Sequence, residues 1–219
     1  MRRVVITGAG IISPAGNTTT EFWDNIHNGR CSISEITRFD TSQLKVKIAA
    51  EVKNFDASNY IDSKEARRMD LFCQYALSSA QQAFTDSGID GKILPERFGV
   101  YMGSGIGGIR TLLEECEKTS QKGVSRISPL FIPKMISNMA SGHISIRFNA
   151  RGVCLPVVTA CATSTNAIGE AYRAIKHGYA DAIIAGGAEA AIVPVAVAGF
   201  TNCMALSLKN DPLNSSTPF

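Results

Sequence analysis

A cysteine at the junction of a predicted strand and a predicted helix is the residue best placed to do chemistry. Cys161 follows the β-branched run 157–159 and precedes the small and hydroxylated residues 162–165. Further on, apolar residues at 168, 171, 172 and 175 are spaced like one face of a helix, which Gly178 ends. A helix N-terminus favours a thiolate and can hold a developing oxyanion. The pattern indicates a nucleophile; the alternative is a buried structural cysteine.

Strand and helix patterns alternate along the rest of the chain. One helix is predicted to begin near Thr18, which forms a capping box with Glu21, and a long amphipathic helix is predicted from Asp62 to Gly88. Strands are predicted at 3–6, 45–52, 98–102, 157–160 and 182–185. This alternation predicts an α/β fold with a mostly parallel sheet covered by helices. No linker or repeat marks a boundary, so residues 1–219 are predicted to form one unit.

Composition argues against several classes of protein. The 219 residues are 45% hydrophobic and 19% charged, and the net charge of +3 is too small to indicate nucleic-acid binding. The apolar run 190–200 contains Pro194 and is too short to cross a membrane, and the N-terminal residues lack a cleavage site, so a cytoplasmic protein is expected. The six cysteines include no C-x-x-C pair, so no metal site is predicted.

Two glycine-rich stretches raise nucleotide binding as an alternative. The stretches 7–10 and 103–108 each follow a predicted strand. Neither has the full G-x-G-x-x-G spacing or a Walker-type Gly-Lys-Ser/Thr, and Pro14 interrupts the helix expected after the first. The favoured interpretation of the second stretch is a backbone that passes close to a buried tunnel.

Several segments, in order, resemble the β-ketoacyl-[acyl carrier protein] synthases of fatty acid synthesis, and among them the bacterial synthase II type. The matching segments are 3–10, 67–70, 103–108, 128–133, 157–165, 185–189 and 205–207. The resemblance implies the thiolase-like fold, whose α-β-α-β-α layers come from two similar halves. This chain is expected to be the N-terminal half, with the C-terminal half absent.

The resemblance implies an acyltransferase that uses Cys161. In the family, the cysteine accepts an acyl group and the acyl-enzyme condenses with malonyl-carrier protein, releasing carbon dioxide. The two catalytic histidines lie in the C-terminal half; His27 and His143 match neither, and His177 is about 24 Å beyond Cys161 along the predicted helix. The chain alone is therefore expected to be incomplete for turnover, with self-acylation as its limit.

The resemblance also assigns residues to the acyl pocket. Ile106 matches the position that limits the pocket near the nucleophile, and Phe131 matches one that reaches the pocket across a dimer interface. A homodimer is therefore implied. No cofactor is expected, because the substrates arrive on the phosphopantetheine of acyl carrier protein. Without the resemblance, ordinary core packing explains both residues equally well.

Acyl carrier protein is the implied partner, and its acidic surface requires exposed cations on the synthase. Arg67, Arg68, Arg126 and Lys209 match basic positions of the family's docking patch. Lys209 replaces the arginine common there, which keeps the charge but loses bidentate geometry. Without the resemblance, solvated surface is the favoured interpretation of all four.

Two other functions stay open at this stage. A non-catalytic fragment could dock a carrier protein or assemble with a separate half. Thiolase chemistry on coenzyme A thioesters also uses a cysteine at a comparable fold position. The context Thr-Ala-Cys-Ala-Thr at 159–163 favours the carrier-dependent synthases over the thiolases.

Overall fold

The computed structural model describes residues 2–217; Met1, Pro218 and Phe219, at the ends of the predicted unit 1–219, lie outside the described residues. The helices are α1 (Thr19–His27), α2 (Ser63–Ala66), α3 (Leu71–Ser87), α4 (Ile109–Lys122), α5 (Phe131–Met135), α6 (Met139–Arg147), α7 (Thr163–Lys176) and α8 (Pro194–Asn202). The strands are β1 (Ser34–Glu35), β2 (Ile48–Ala49), β3 (Phe98–Gly103), β4 (Cys154–Leu155) and β5 (Ala182–Gly187). Contacts divide the described residues into two units, 2–10 with 56–190 and 11–55 with 191–217.

A three-stranded parallel sheet lies at the centre of the first unit, in the order β4-β3-β5. Every residue of β3 is buried. Because successive side chains of a strand point to opposite faces, Phe98, Val100 and Met102 pack in one cluster with α3 and α6, and Tyr101 packs in another with α7. The predicted α/β architecture, with a parallel sheet between helices, is confirmed.

The long helix predicted from Asp62 to Gly88 is two helices. Its ends are as predicted: Asp62 caps α2, and Gly88 ends α3 with a φ of +57°. Between the helices, Met69 is buried and the Asp70 side chain accepts a hydrogen bond from the Phe72 N–H at 3.3 Å. The prediction of one helix is wrong because aspartate at this position caps a new helix instead of continuing the first.

Two strand predictions in this unit are wrong. The strand predicted at 157–160 lies earlier, as β4, and ends before Pro156, which has no N–H with which to continue a ladder. The Thr159 N–H instead donates to the Thr163 side chain at 2.9 Å. Among the described residues, no strand pairs with 3–6, and the side chain of Ile6 is exposed.

The first glycine-rich stretch serves packing against α3. A Cβ on Gly8 would lie 2.2 Å from the Ala83 carbonyl oxygen, and one on Gly10 would lie 1.9 Å from that of Ser79. Only glycine allows so close an approach to the helix backbone. This contact gives the two glycines a structural reason that does not involve a nucleotide.

The second unit contains α1, α8 and the antiparallel pair β1-β2. The helix predicted near Thr18 is confirmed, with Thr18 Oγ1 accepting from the Glu21 N–H at 3.2 Å. The strand predicted within 45–52 corresponds to β2. Ile36, Val46 and Val197 form the buried core of this unit. Among the described residues of both units, no helix is long and apolar enough to cross a membrane.

Candidate active site

Three segments of the first unit meet at the carboxyl edge of the parallel sheet. They are the loop 104–108 after β3, the short turn between β4 and α7, and Glu189 after β5. Ligands of open parallel α/β sheets bind at this edge. The location therefore agrees with a reactive site, and Cys161 lies in the central turn.

Cys161 is exposed in a 3-10 turn that leads directly into α7. The preceding Ala160 has a φ of +50°, a left-handed conformation that residues with a side chain rarely adopt. Side chains fix this turn: Thr163 Oγ1 accepts from the Thr159 N–H at 2.9 Å, and Asn166 Nδ2 donates to Thr159 Oγ1 at 2.8 Å. The thiol therefore lies in solvent at a helix N-terminus, where the sequence pattern predicts it.

The description of a buried structural cysteine fits Cys73 and does not fit Cys161. Cys73 is 1% exposed in the core of the first unit, and its burial raises the pKa of the thiol. A thiol in that environment is a poor nucleophile because the thiolate is disfavoured. Cys161 is accessible to a substrate, and its role as nucleophile stays a prediction.

The loop 104–108 passes beside the Cys161 turn. β3 ends at Gly103, where a Cβ would lie 1.9 Å from the Val157 carbonyl oxygen and clash with the chain that leads to the turn. A Cβ on Gly105 would lie 3.5 Å from the Ala160 carbonyl oxygen, an ordinary van der Waals contact. The residue before Ile106 therefore packs against the residue before Cys161.

The structure brings the loop of Ile106 together with the helix of Phe131. The Gly108 N–H donates to the carbonyl of Met135, the last residue of α5, at 2.8 Å. Phe131 begins the same five-residue helix and is half-buried, while Ile106 is exposed. Their assignment to the acyl pocket, and the approach of Phe131 across a dimer interface, stay predictions.

Glu189 fixes the loop, and no local sequence pattern predicts this role. Its Oε2 accepts hydrogen bonds from the Gly105 N–H at 2.9 Å and the Ile106 N–H at 3.1 Å. Its Oε1 accepts from the Ser104 hydroxyl at 3.0 Å, and Ser104 Oγ accepts from the Gly107 N–H at 2.9 Å. One carboxylate thus orders four consecutive residues, directly or through Ser104.

Asp70 binds the start of α4, the helix that follows the loop 104–108, and this role was not predicted either. Its Oδ2 accepts from the Thr111 N–H at 3.0 Å and from the Thr111 hydroxyl at 2.6 Å, which joins the start of α3 to the start of α4. In the sequence, each residue is a single carboxylate next to the end of a helix or strand: Asp70 comes before α3, and Glu189 comes after β5. This placement is the one sequence feature that could have indicated their roles. Their partners are 41 to 85 residues away, so local patterns do not reveal them.

The four predicted docking residues are exposed but do not form one cluster within the first unit. Arg67 and Arg68 lie between α2 and α3, and neither forms an ion pair within residues 2–217. Arg126 follows the C-terminal end of α4, whereas Asp70 contacts the first turn of that helix. Lys209 belongs to the second unit. Docking by these residues stays a prediction.

The described part of the first unit supplies no histidine to Cys161. His177 is the C-cap of α7, at the opposite end of the helix from the thiol. His143 lies on α6, where partial burial lowers its pKa and the charge of Glu65 opposes that shift. His27 ends α1 in the second unit. Among residues 2–217, no group of three or more His, Cys, Asp or Glu side chains could hold a metal ion.

Comparison with known proteins identifies the family. The model for "Beta-ketoacyl synthase, N-terminal domain" matches residues 1–219. The 3-oxoacyl-[acyl-carrier-protein] synthase 2 proteins of Synechocystis sp. and Staphylococcus aureus are 47% and 46% identical over 220 and 219 residues, covering 100% of this chain and 53% of each protein.

A solved structure gives the same result for the fold. The crystal structure of a beta-ketoacyl synthase from Burkholderia phymatum STM815 has a TM-score of 0.85 and 28% identity, covering 100% of this chain and 54% of that one. The chain thus spans about half the length of the curated relatives it matches, and the predicted thiolase-like fold is confirmed. This protein belongs to the β-ketoacyl synthase family, through the N-terminal domain of that family.

Proposed function

We propose that this chain carries the acyl-accepting site of a 3-oxoacyl-[acyl-carrier-protein] synthase of fatty acid biosynthesis. The observation that carries the proposal is the exposed Cys161, held on a strained turn at a helix N-terminus with the loop of Ile106 packed beside it. The curated relatives that bear this name match the whole of this chain, which supports the choice of reaction.

The proposed reaction has two steps that use the same sulfur atom. First, Cys161 Sγ attacks the carbonyl carbon of an acyl-carrier thioester; a new C–S bond forms, and the carrier's phosphopantetheine thiol leaves with the cysteine proton. Second, malonyl-carrier protein loses carbon dioxide, its carbanion attacks the acyl carbonyl carbon, and Cys161 leaves as a thiolate. The substrates bring their own phosphopantetheine, so the proposal includes no further cofactor.

The first step is the one that the described residues support. Condensation also needs groups that assist decarboxylation and stabilise a carbanion. His177 lies at the far end of α7, and His143 lies on α6, which packs on the other face of β3 from α7, so neither is placed for this work. We therefore propose that the chain alone stops at the acyl-enzyme.

Intact-mass measurement after incubation with acyl-loaded carrier protein tests the proposal. We expect the parent chain to gain one acyl group and Cys161→Ala to gain none. Cys116→Ala is the matched control, because Cys116 is another exposed thiol that lies on α4, and it should be acylated like the parent. Acylation of Cys161→Ala, or none of the parent, would contradict the proposal.

Carrier protein docking is proposed for the exposed pair Arg67 and Arg68. The double change to glutamate should lower the acylation rate from carrier-bound donor by about tenfold at low salt, because charge reversal slows association with an acidic partner. Acylation from a carrier-free pantetheine thioester should stay unchanged. Lys92→Glu, another exposed charge reversal, serves as the control; an equal loss in that variant would refute specific docking.

A non-catalytic assembly role is the second candidate. Two large apolar side chains of α7 favour it, since Ile168 is 52% exposed and Tyr172 is 45% exposed. Exposed apolar patches commonly mark interaction surfaces. Sedimentation that reveals a concentration-dependent dimer would support the homodimer that we also propose. Assembly without any acylation of Cys161 would favour this candidate over the enzyme.

A further inference from the structure

We propose that Glu189 is a positioning residue that fixes the loop 104–107 and thereby sets how far an acyl chain can extend past Ile106. The inference deepens the proposed function, since it rests on Ile106 standing at the acyl pocket. It assigns chain-length selection to a carboxylate that need not touch the acyl chain. Glu189 contacts this loop through hydrogen bonds to Ser104, Gly105 and Ile106.

The carboxylate of Glu189 is shaped and charged for this task. Its two oxygens accept three hydrogen bonds, from two adjacent backbone N–H groups and one hydroxyl. Hydrogen bonds to an ionised acceptor are stronger than those between neutral groups. The donating hydroxyl belongs to Ser104, which is 1% exposed, so the first residue of the loop is anchored in the protein interior.

The loop needs such a support because its own sequence gives it little rigidity. Gly105, Gly107 and Gly108 surround Ile106, and glycine loses more conformational freedom on ordering than any other residue. Gly107 also adopts a φ of +79°. These glycines have no side chains that could pack against neighbouring residues. Hydrogen bonds from outside the loop must therefore hold the conformation that fixes Ile106.

Glu189 binds the loop at the place where the loop approaches the nucleophile's turn. A Cβ on Gly105 would lie 3.0 Å from Glu189 Oε2 and 3.5 Å from the Ala160 carbonyl oxygen, so this residue is close to both the carboxylate and the turn. Ile106 follows Gly105 in the sequence, and Cys161 follows Ala160. Release of the carboxylate would therefore change the position of Ile106 relative to Cys161 while leaving the turn's own hydrogen bonds in place.

Alkylation of Cys161 by haloacetamides with alkyl tails of increasing length tests the inference without carrier protein. In this reaction the sulfur displaces halide, and the thiol proton passes to buffer. Labelling of Cys161, followed by peptide mass mapping, should slow with tail length in the parent. Glu189→Ala should reduce that dependence by about tenfold, the effect of losing a charge-assisted hydrogen bond. The shortest reagent should label both proteins equally.

Two further variants separate positioning from a general structural loss. Glu189→Gln keeps the volume; its Oε1 can accept from the two N–H groups and its Nε2 can donate to Ser104 Oγ, but the charge is lost, so its profile should lie between those of the parent and Glu189→Ala and closer to the parent. Ser104→Ala should act in the direction of Glu189→Ala, and the double variant should show little added effect. A glutamine variant that behaves like the alanine variant would overturn the role assigned to geometry.

Hydrogen exchange provides a readout that does not depend on reactivity. The peptide containing residues 104–107 should exchange faster in Glu189→Ala, while a peptide from α3 should keep the parent rate. Unchanged exchange at 104–107 would overturn the inference. A faster rate in both peptides would show a general loss of structure and would also overturn it.

The outcomes also separate this inference from the proposed function. If the parent shows length-dependent labelling but takes no acyl group from carrier protein, the proposed acyl transfer fails and the positioning by Glu189 stands. If labelling of the parent does not depend on tail length, Ile106 does not limit a pocket, and the inference fails even when the parent is acylated.

Discussion

α3 and α7 both pack against the parallel sheet, yet they use their apolar residues differently. α3 buries its large side chains, with Phe72 and Leu77 almost fully covered. α7 buries a stripe of small residues, Ala167, Ala171 and Ala174, and exposes larger ones, Ile168 among them. A helix that buries only small residues can lie close to a sheet, and the N-terminus of α7, which follows Cys161, lies at the sheet edge.

Apolar spacing identifies an apolar face of a helix but not the face that packs against the sheet. The positions 168, 171, 172 and 175 correctly indicate a helix, but the side chains of Ile168 and Tyr172 are exposed. The largest apolar side chains of α7 do not mark its packed face, because the close contact of α7 with β3 and β5 leaves room only for small side chains. α3 should therefore be destabilised mainly by removing side-chain volume and α7 mainly by adding it, and the magnitudes should differ.

The largest effect is expected in α3. Phe72→Ala should lower the free energy of unfolding by about 3–5 kcal/mol, because the ring is 0% exposed and its removal leaves a cavity. Chemical denaturation monitored by circular dichroism measures the change. Phe72→Leu retains most of the volume and should cost less than about 1.5 kcal/mol. A loss below about 1 kcal/mol for the alanine variant would contradict the assignment of this core.

A smaller loss of stability, caused by added instead of removed side-chain volume, is expected in α7. Ala167→Leu should lower the free energy of unfolding by about 1–3 kcal/mol, because Ala167 is 0% exposed against the sheet and cannot admit extra volume. The neighbouring Ile168→Ala removes a larger side chain but should change stability by less than about 0.5 kcal/mol, since that residue is exposed. The same denaturation assay compares them, and a reversed order would place the packed face of α7 on its large residues.

The smallest effect on stability is expected just after the C-terminal end of α7, where ion pairs and hydrogen bonds hold the chain. Arg97 binds the Gly178 carbonyl at 2.7 Å and Asp181 at 2.9 Å, and Asp181 also pairs with Arg2. The hydrogen bonds from Arg97, then from Arg2, lower the pKa of Asp181 to about 2 from its ordinary 3.8.

A carboxyl whose pKa is lower in the folded state stabilises the protein above its unfolded pKa, so this contribution is present above pH 4 and disappears as the pH falls toward 2. Asp181→Asn should flatten the decline of stability over that pH window. Thermal unfolding of the parent and the variant from pH 5 to pH 2 measures it. Because exposed ion pairs contribute little, the difference should be small, and identical pH profiles would exclude a role for this carboxyl.

The sequence predicted the parts of the fold that depend on local patterns. The caps at Thr18, Asp62 and Gly88 were found because each cap residue acts within its own turn. The break before Asp70 was not predicted, although Asp70 caps α3 within its own turn, because the apolar residues 69, 72 and 73 keep helical spacing across it. The second contact of Asp70, with Thr111 41 residues away, has no local sequence signal. The strand predicted at 157–160 was misplaced because those residues form the approach to the Cys161 turn, where side-chain hydrogen bonds replace a ladder.

The site divides in the same way. The position of Cys161 at a helix N-terminus could be predicted from the start of the helical pattern, and the structure places it in the turn that leads into α7, although the strand predicted directly before it lies earlier. Glu189 could not be assigned a role, because nothing near it in sequence reveals that β5 lies beside β3 and faces a glycine loop. The nucleophile's position is a local property of the chain, whereas the loop beside it is positioned by the sheet.

The carboxylate contact between Glu189 and the loop has a consequence for folding kinetics. It joins residues 83 to 85 positions apart, and it can form only after β3 has paired with β5 across a similar separation. Contacts of such high sequence separation form slowly, because a long loop must close first. In any partly folded chain in which the two strands have not yet met, Glu189 therefore cannot order the loop 104–107, so the thiol of Cys161 is present before the loop beside it takes its final position.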